Sequence, residues 1–248
     1  MYIQEPNKTF FPTEIKKYTH IARDGACEER SEPVLHEHSV SILIEGGASF
    51  RTTCIPQYLP ELALGRLLTE GVIASPEDVE ELRVAKDGHT VRVRLTRRFQ
   101  EDSANPPALK PIPWTPEQIF ALADRLSEGM PLHRQTFATH SCFLAQDGRL
   151  LFTCEDIGRH NAIDKAVGFA LRQNISLAGC ILYSSGRAPK DMVWKAIQAG
   201  IPVFVSKASP TCEAAALAEQ YGLTLVCAAR SDRMKLFAGT LPHQPDAF

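Results

Sequence analysis

The sequence predicts an α/β protein in two parts: an N-terminal α+β domain with hairpins over residues 30–100, a linker over 101–116, and a C-terminal three-layer α/β/α domain over 117–248. Three observations carry that expectation. In the second half, short apolar runs alternate with stretches of helical spacing, the pattern of strands joined by helical crossovers. In the first half, pairs of β-rich runs flank glycine turns, as in hairpins. Between the halves, four prolines within 100–115 interrupt a stretch that has no apolar period, which reads as a linker.

Taken in order, the residues before Pro33 carry many charges and little periodicity, and predict an arm with one short strand. The runs 40–44 and 49–53 flank Glu45-Gly46-Gly47 and predict a hairpin. Residues 60–71 predict a helix: Pro60 suits its first turn, Gly71 its end, and Leu64, Leu67 and Leu68 form one apolar face. A second hairpin is expected from 82–85 and 91–95 around Lys86-Asp87-Gly88. There Val91, Val93 and Leu95 alternate with Arg92, Arg94 and Thr96, so one face is buried and the arginine face is solvated. Residues 116–126 predict a helix with Ile119, Phe120, Leu122, Ala123 and Leu126 inward. Strands are then expected at 149–153, 179–184, 202–206 and 223–227. Helices are expected between them, carrying Ile163, Ala166, Val167, Ala170 and Leu171, then Met192, Val193, Ala196 and Ile197, then 211–221. Strand and helix in alternation imply right-handed crossovers and a largely parallel sheet with helices on both faces.

At 248 residues the chain can bury a sizeable core. A net charge of −2 gives no general pull toward nucleic acid or anionic membrane. No apolar run is long enough to span a bilayer, and Met1-Tyr2-Ile3-Gln4-Glu5-Pro6 lacks the basic-then-apolar form of a secretory signal. The seven cysteines are scattered and none forms a Cys-x-x-Cys pair, which fits a reducing cytoplasm and argues against a structural zinc site.

The chemistry gathers in Cys154-Glu155-Asp156-Ile157-Gly158-Arg159-His160-Asn161-Ala162-Ile163-Asp164-Lys165, a strand-to-helix turn crowded with polar groups. Helical spacing predicts the pairs Glu155 with Arg159, Asp156 with His160, and His160 with Asp164. In a parallel sheet the carboxyl ends of the strands share one edge, where ligands bind. Four loops leave those ends, at 154–159, 184–188, 206–211 and 228–233. They and the helix starts behind them bring Arg159, His160, Arg187, Lys207, Arg230 and Arg233 together with Ser185, Gly186, Ser209 and Thr211. Cations gathered on one edge of a weakly acidic chain suggest a phosphorylated ligand. The bland alternative is that each arginine pairs with a neighbouring acid. A zinc deaminase needs His-x-Glu and Pro-Cys-x-x-Cys. Here His140 leads to Ser141 and Cys142, and Ala215 stands where a second cysteine would be needed after Cys212. A cysteine–histidine nucleophile would have to use Cys142 or Cys154, the latter just before a helix start that can activate a thiol.

With these residues in view, the sequence resembles the FdhD/NarQ family of formate dehydrogenase accessory sulfurtransferases. The segment from Glu155 to Lys165 is close to a family hallmark. Ser184-Ser185-Gly186-Arg187, Met192-Val193, Lys195-Ala196, Ala199-Gly200-Ile201-Pro202, Gly222-Leu223-Thr224-Leu225, Leu62-Ala63-Leu64-Gly65 and 68–73 also match. Residues 136–140, ending in His140, resemble the family's Thr-Gly-Gly-x-His stretch without its glycines. The resemblance implies a C-terminal domain like the cytidine deaminase fold without its zinc, and a homodimer. It also implies transfer of sulfur from a cysteine desulfurase to the molybdenum or tungsten bis(molybdopterin guanine dinucleotide) cofactor before that cofactor enters formate dehydrogenase. The guanine dinucleotide end would lie near the last strand's loop, here Ala228, Ala229, Arg230, Ser231, Asp232 and Arg233, with Arg187, Gly186, Ser185, His140, Glu155, Asp156, Arg159 and His160 completing the site. The family's Cys-Gly-x-Cys-Gly segment, whose first cysteine is thought to hold a persulfide, has no counterpart, since no cysteine lies between Cys54 and Cys142. The catalytic residue is therefore unassigned. Two readings follow: sulfur transfer to the cofactor, or a cofactor-binding chaperone of the same family that moves no sulfur.

Overall fold

The computed structural model describes residues 1–6, 10–97 and 105–241. Residues 98–104, which include the first four of the expected linker, lie outside them. The first half forms β1 (Tyr2–Gln4), β2 (Thr13–Ile21), β3 (Cys27–Leu35), β4 (His38–Ile44), β5 (Ser49–Cys54), α1 (Leu59–Thr69), β6 (Val79–Val84) and β7 (Thr90–Leu95). Both hairpins are present: β4 pairs antiparallel with β5, and β6 with β7. They join side by side, with β1 added at one edge, into a five-stranded sheet of order β1-β6-β7-β4-β5. Val91 and Val93 are buried and Arg92 and Arg94 point outward, as the alternation requires.

The N-terminal arm differs from expectation. It contributes β1 and a separate two-stranded ribbon in which β2 and β3 pair over nine residues each. Most of the ribbon is exposed; Ile15 and Ile21 are 64% and 70% accessible. Strands that bury no face need no apolar alternation, so the sequence carried no period by which to recognise them.

The second half forms α2 (Pro116–Ser127), α3 (Pro131–Thr136), β8 (His140–Gln146), β9 (Arg149–Asp156), α4 (Arg159–Arg172), β10 (Cys180–Ser184), α5 (Lys190–Gln198), β11 (Val203–Ser206), α6 (Cys212–Tyr221), β12 (Thr224–Cys227) and β13 (Lys235–Ala238). Thr115 caps α2, its hydroxyl accepting from the Gln118 amide while the Gln118 side chain returns a bond to the Thr115 amide. The six strands lie in the order β13-β12-β11-β10-β8-β9. The sheet is mixed, which corrects the expectation of a largely parallel one. Only β10, β11 and β12 are mutually parallel neighbours, while β8 pairs antiparallel with both β9 and β10, and β13 antiparallel with β12. β8 is not among the expected strands because it is buried almost throughout and so shows no period-two alternation, although Asp147-Gly148 marks the turn from it into β9. Three layers result. α2 covers one face through Ile119, Leu122, Ala123 and Leu126, against Phe143, Ile181, Tyr183 and Val205. α4, α5 and α6 cover the other, where Leu144, Leu182, Phe204 and Leu225 point.

That second core runs without a break into the N-terminal sheet, so the two halves share one apolar interior. The joint is the crossing of α1 and α4. Their backbones touch: a Cβ added at Gly65 would collide with the Asp164 carbonyl, and one at Gly168 with the Glu61 carbonyl. Side chains complete the joint. Lys165, fully buried, pairs with Asp156 at 2.6 Å and donates to the Ile55 carbonyl at 3.0 Å. Asp156 also accepts from the Ile55 and Gly158 amides and from Asn161. Asn161 donates to the Thr53 carbonyl and accepts from Thr52. Asp164 binds Lys195 and Thr69, each at 2.8 Å. Buried charges persist only when paired and hydrogen-bonded in this way.

Candidate anion-binding site

β9, β10, β11 and β12 all run in one direction, because two antiparallel steps through β8 return β9 to the sense of β10. Their carboxyl ends share an edge, and β8 and β13, running the other way, begin on it. This places His140, the first residue of β8, beside the four loops. The correction to the sheet thus strengthens the grouping of the residues.

A cleft of about 530 Å³ opens at this edge, with His140, Ser185, Lys207, Arg230, His133 and Phe137 among its walls. Ser185 Oγ accepts the Ser141 amide at 2.9 Å and lies 3.4 Å from His140 Nδ1. Burial, and next the charge of Arg159, push the His140 imidazole below its ordinary value, so it is neutral at pH 7. Arg159, at the start of α4, lies over Gly186; a Cβ at Gly186 would sit 2.9 Å from Arg159 side-chain carbons, so only glycine allows this approach. Arg159 Nε is buried without a hydrogen-bond partner. Among the described residues, Arg159, Arg187, Lys207 and Arg230 pair with no carboxylate, so the neutralised-arginine alternative does not hold for these three arginines.

The last loop is built around Arg230, whose amide donates to the Arg233 carbonyl. Ala228 takes φ 50°, and its amide donates to the Ala208 carbonyl. Ala229 is buried and its carbonyl accepts from the Tyr183 hydroxyl at 2.9 Å, which fixes the loop to the sheet. Ser231, Asp232 and Arg233 are exposed and outside the cleft walls, and Arg233 pairs with Asp232 at 2.7 Å. Arg187 is exposed on the neighbouring loop.

The hallmark segment divides. Asp156, Asn161, Asp164 and Lys165 belong to the buried joint and do not reach the cleft. Glu155 is buried behind it, accepting from the Leu132 and His133 amides and the Thr139 hydroxyl, and so fastens α3 and the chain after it. His160 pairs with Asp191 at 2.6 Å. Burial raises the Asp191 carboxyl, but the bond and charge of His160 outweigh this and hold it below its usual value. None of the three expected helical pairs forms. Glu155 and Asp156 end β9 and lie before the helix, and Asp164 faces the joint.

The cysteine–histidine alternative is also corrected. Cys142 and Cys154 are buried; burial pushes Cys142 well up and Cys154 to about 12, overriding any effect of the following helix start. Cys54 is likewise pushed to about 12. Such thiols are poor nucleophiles. Cys27 and Cys212 are exposed. Sequence reasoning missed His133, Phe137 and Met130 as cleft residues. They precede the first strand of the sheet rather than following one, and only the resemblance at 136–140 pointed there.

The fold and the edge define an α/β protein that holds unpaired cations around a cleft at the carboxyl end of its central sheet. Comparison with known proteins narrows this: the FdhD/NarQ family matches residues 35–106 and 96–242, and the chain belongs to that family. A protein of Mycolicibacterium paratuberculosis named sulfur carrier protein FdhD is 31% identical over 91% of this chain and 96% of its own. One of the same name from Wolinella succinogenes is 31% identical over 88% of this chain and 84% of its own. The crystal structure of a formate dehydrogenase accessory protein from Desulfotalea psychrophila superposes with a TM-score of 0.80 at 30% identity, over 92% of this chain and 97% of that one. No helix among the described residues is long and apolar enough to cross a membrane.

Proposed function

We propose that this chain is an accessory protein for formate dehydrogenase that binds the phosphate-rich nucleotide end of the bis(molybdopterin guanine dinucleotide) cofactor as cargo. The observation that carries this reading is the set of unpaired cations, Lys207 and Arg230 in the cleft wall and Arg159 beside it, facing an open cleft. Charge-assisted bonds from lysine and arginine to phosphate are the strong ones. Neutral His140 and Ser185 can each donate or accept one bond to the same ligand. On this reading the chain holds the cofactor, protects it and hands it on without itself carrying sulfur; its support is that Cys142 and Cys154, in the strands nearest His140, are buried with raised thiols.

A second reading is favoured by the names of the relatives. A sulfur carrier taking sulfur from a cysteine desulfurase needs an accessible thiol, and among the described residues Cys27 and Cys212 supply one. One experiment separates the two. The full chain is titrated with guanosine diphosphate, and its intact mass is measured after incubation with a cysteine desulfurase and cysteine, with and without reductant. Saturable nucleotide binding without a mass gain supports the cofactor holder. A reducible gain of one sulfur on Cys27 or Cys212 supports the carrier. Neither binding nor gain contradicts both.

A further inference from the structure

The five-stranded sheet of the first half has one closed face and one open face. α1 closes the inner face, where Val40, Ile42, Val91 and Val93 are buried. The outer face carries the residues between them. One row crosses four strands: Arg83 of β6, Arg92 of β7, Leu43 of β4 and Ser49 of β5, each the ladder partner of the next. All four are exposed, Leu43 by 37%. Arg51, also exposed, stands two residues along β5 from Ser49, opposite Ser41. Leu43 is therefore an apolar side chain in the open, with Arg92 beside it on one strand and Arg51 diagonal to it on the other.

Two of the arginines on this face are answered. Arg83 pairs with Glu81 at 2.7 Å, and Arg94 pairs with Glu80 at 2.9 Å and with Glu81 at 3.2 Å. Among the described residues, Arg51 and Arg92 pair with no carboxylate. Arg92 also lies directly opposite Arg83. Like charges directly opposite in a ladder destabilise it. A carboxylate brought to Arg92 from outside would relieve that repulsion.

We infer that this open face is a docking surface for a protein partner that presents carboxylates around an apolar side chain, and that the partner is the formate dehydrogenase polypeptide. Carboxylates would fork onto Arg51 and Arg92, and the apolar side chain would cover Leu43. Arginine and aromatic residues are enriched in protein interfaces, and Tyr2, 58% exposed, ends the face beside Glu81. A polyanion fits less well. Its binding grows with the number of phosphates neutralised, whereas two cations are free here and Glu80 and Glu81 stand among them. The choice of partner rests on the reading of the chain as an accessory protein: a chain that holds cargo in a cleft for another protein needs a grip on that protein outside the cleft. The face belongs to the first sheet and the cleft to the edge of the second.

The test titrates the full chain with the cofactor-free formate dehydrogenase encoded in the same genome and, separately, with heparin. The parent should bind the enzyme, less tightly as salt rises. The double variant Arg51→Ser, Arg92→Ser should weaken the enzyme about tenfold or more, with no fall in melting temperature, because both side chains stand in solvent and the repulsion with Arg83 is removed. Leu43→Ser should weaken it as well. Arg23→Ser with Lys110→Ser takes the same charge from exposed positions elsewhere and should leave enzyme binding unchanged. The inference is overturned if Arg51→Ser, Arg92→Ser binds the enzyme like the parent, and the accessory reading then stands without this face. It is also overturned if the Arg23 and Lys110 variant loses as much, since net charge and not the face would then bind. Loss of heparin alone on removing Arg51 and Arg92 would make the face a polyanion site instead. A parent that does not bind the enzyme removes both the docking face and the accessory contact.

Discussion

Lys165 and Lys195 are buried against carboxylates at the joint of α1 and α4, whereas Lys207 and Arg230 line an open cleft with no carboxylate in reach. The two groups belong to the same half of the chain. In the joint the buried carboxylates Asp156 and Asp164 are answered: they accept from lysine, hydroxyl, amide and backbone donors. At the edge the cations face solvent. A buried charge left unpaired costs several kcal/mol of stability, so the charges of the joint are paired within it. An exposed one costs little to leave open, so the edge is free to await a ligand. Crowding of charged residues in a sequence marks both situations alike, and only partnership separates them.

The sharpest way to break this comparison is to remove one partner from each region. Lys165→Met leaves Asp156 buried and unpaired, and should cost about 3–5 kcal/mol of stability, read by chemical denaturation. A loss within half a kilocalorie would mean the joint is not held by its charges. Next, Gly168→Ala drives a methyl group into the Glu61 carbonyl and should cost about 1–3 kcal/mol or more as α1 and α4 are forced apart. An unchanged melting temperature would show that the helices do not touch as described.

At the edge the effects should appear in binding, not folding. Arg230→Ala should weaken guanosine diphosphate roughly tenfold or more, by loss of a charge-assisted bond, with no shift in melting temperature. Arg233→Ala, whose guanidinium already pairs with Asp232, should do much less in the same titration. Equal losses would return Arg233 to the site. The smallest effect concerns His140, held below its ordinary value by burial and Arg159. Protonation adds a positive charge, so nucleotide affinity should rise as pH falls from the ordinary imidazole value of about 6.5 through the lowered one, more in the parent than in His140→Gln. For stability the sign is opposite. Burying the neutral ring contributes stability above the ordinary value, which is lost as pH falls through the lowered folded value. Matching pH profiles for parent and variant would remove His140 from the cleft.

Much of the fold was legible because most elements bury a face. Both hairpins, α1, α2 and the β10–β12 crossovers announced themselves through apolar spacing and glycine or proline punctuation. The β2–β3 ribbon was not, because it buries almost nothing, and β8 was not, because it is buried nearly throughout. The grouping was legible in outline: placing loops at one sheet edge put Ser185, Lys207 and Arg230 together, and the resemblance added His140, which lines the same cleft. What sequence could not show was the direction of each side chain. Asp156 and Arg159 are three residues apart, and one locks the joint while the other leans over Gly186 toward the edge. Phe137 escaped because it precedes the first strand of its sheet, outside the four loops, so that edge placement did not reach it.

The most direct test of the unpaired edge is calorimetric titration of guanosine diphosphate into the parent and into the double variant Lys207→Ala, Arg230→Ala, with melting temperatures recorded for both. The account predicts saturable binding at one site in the parent, its loss in the double variant, and the same melting temperature for the two without ligand. Equal affinity in both proteins, or no binding by the parent, would contradict it.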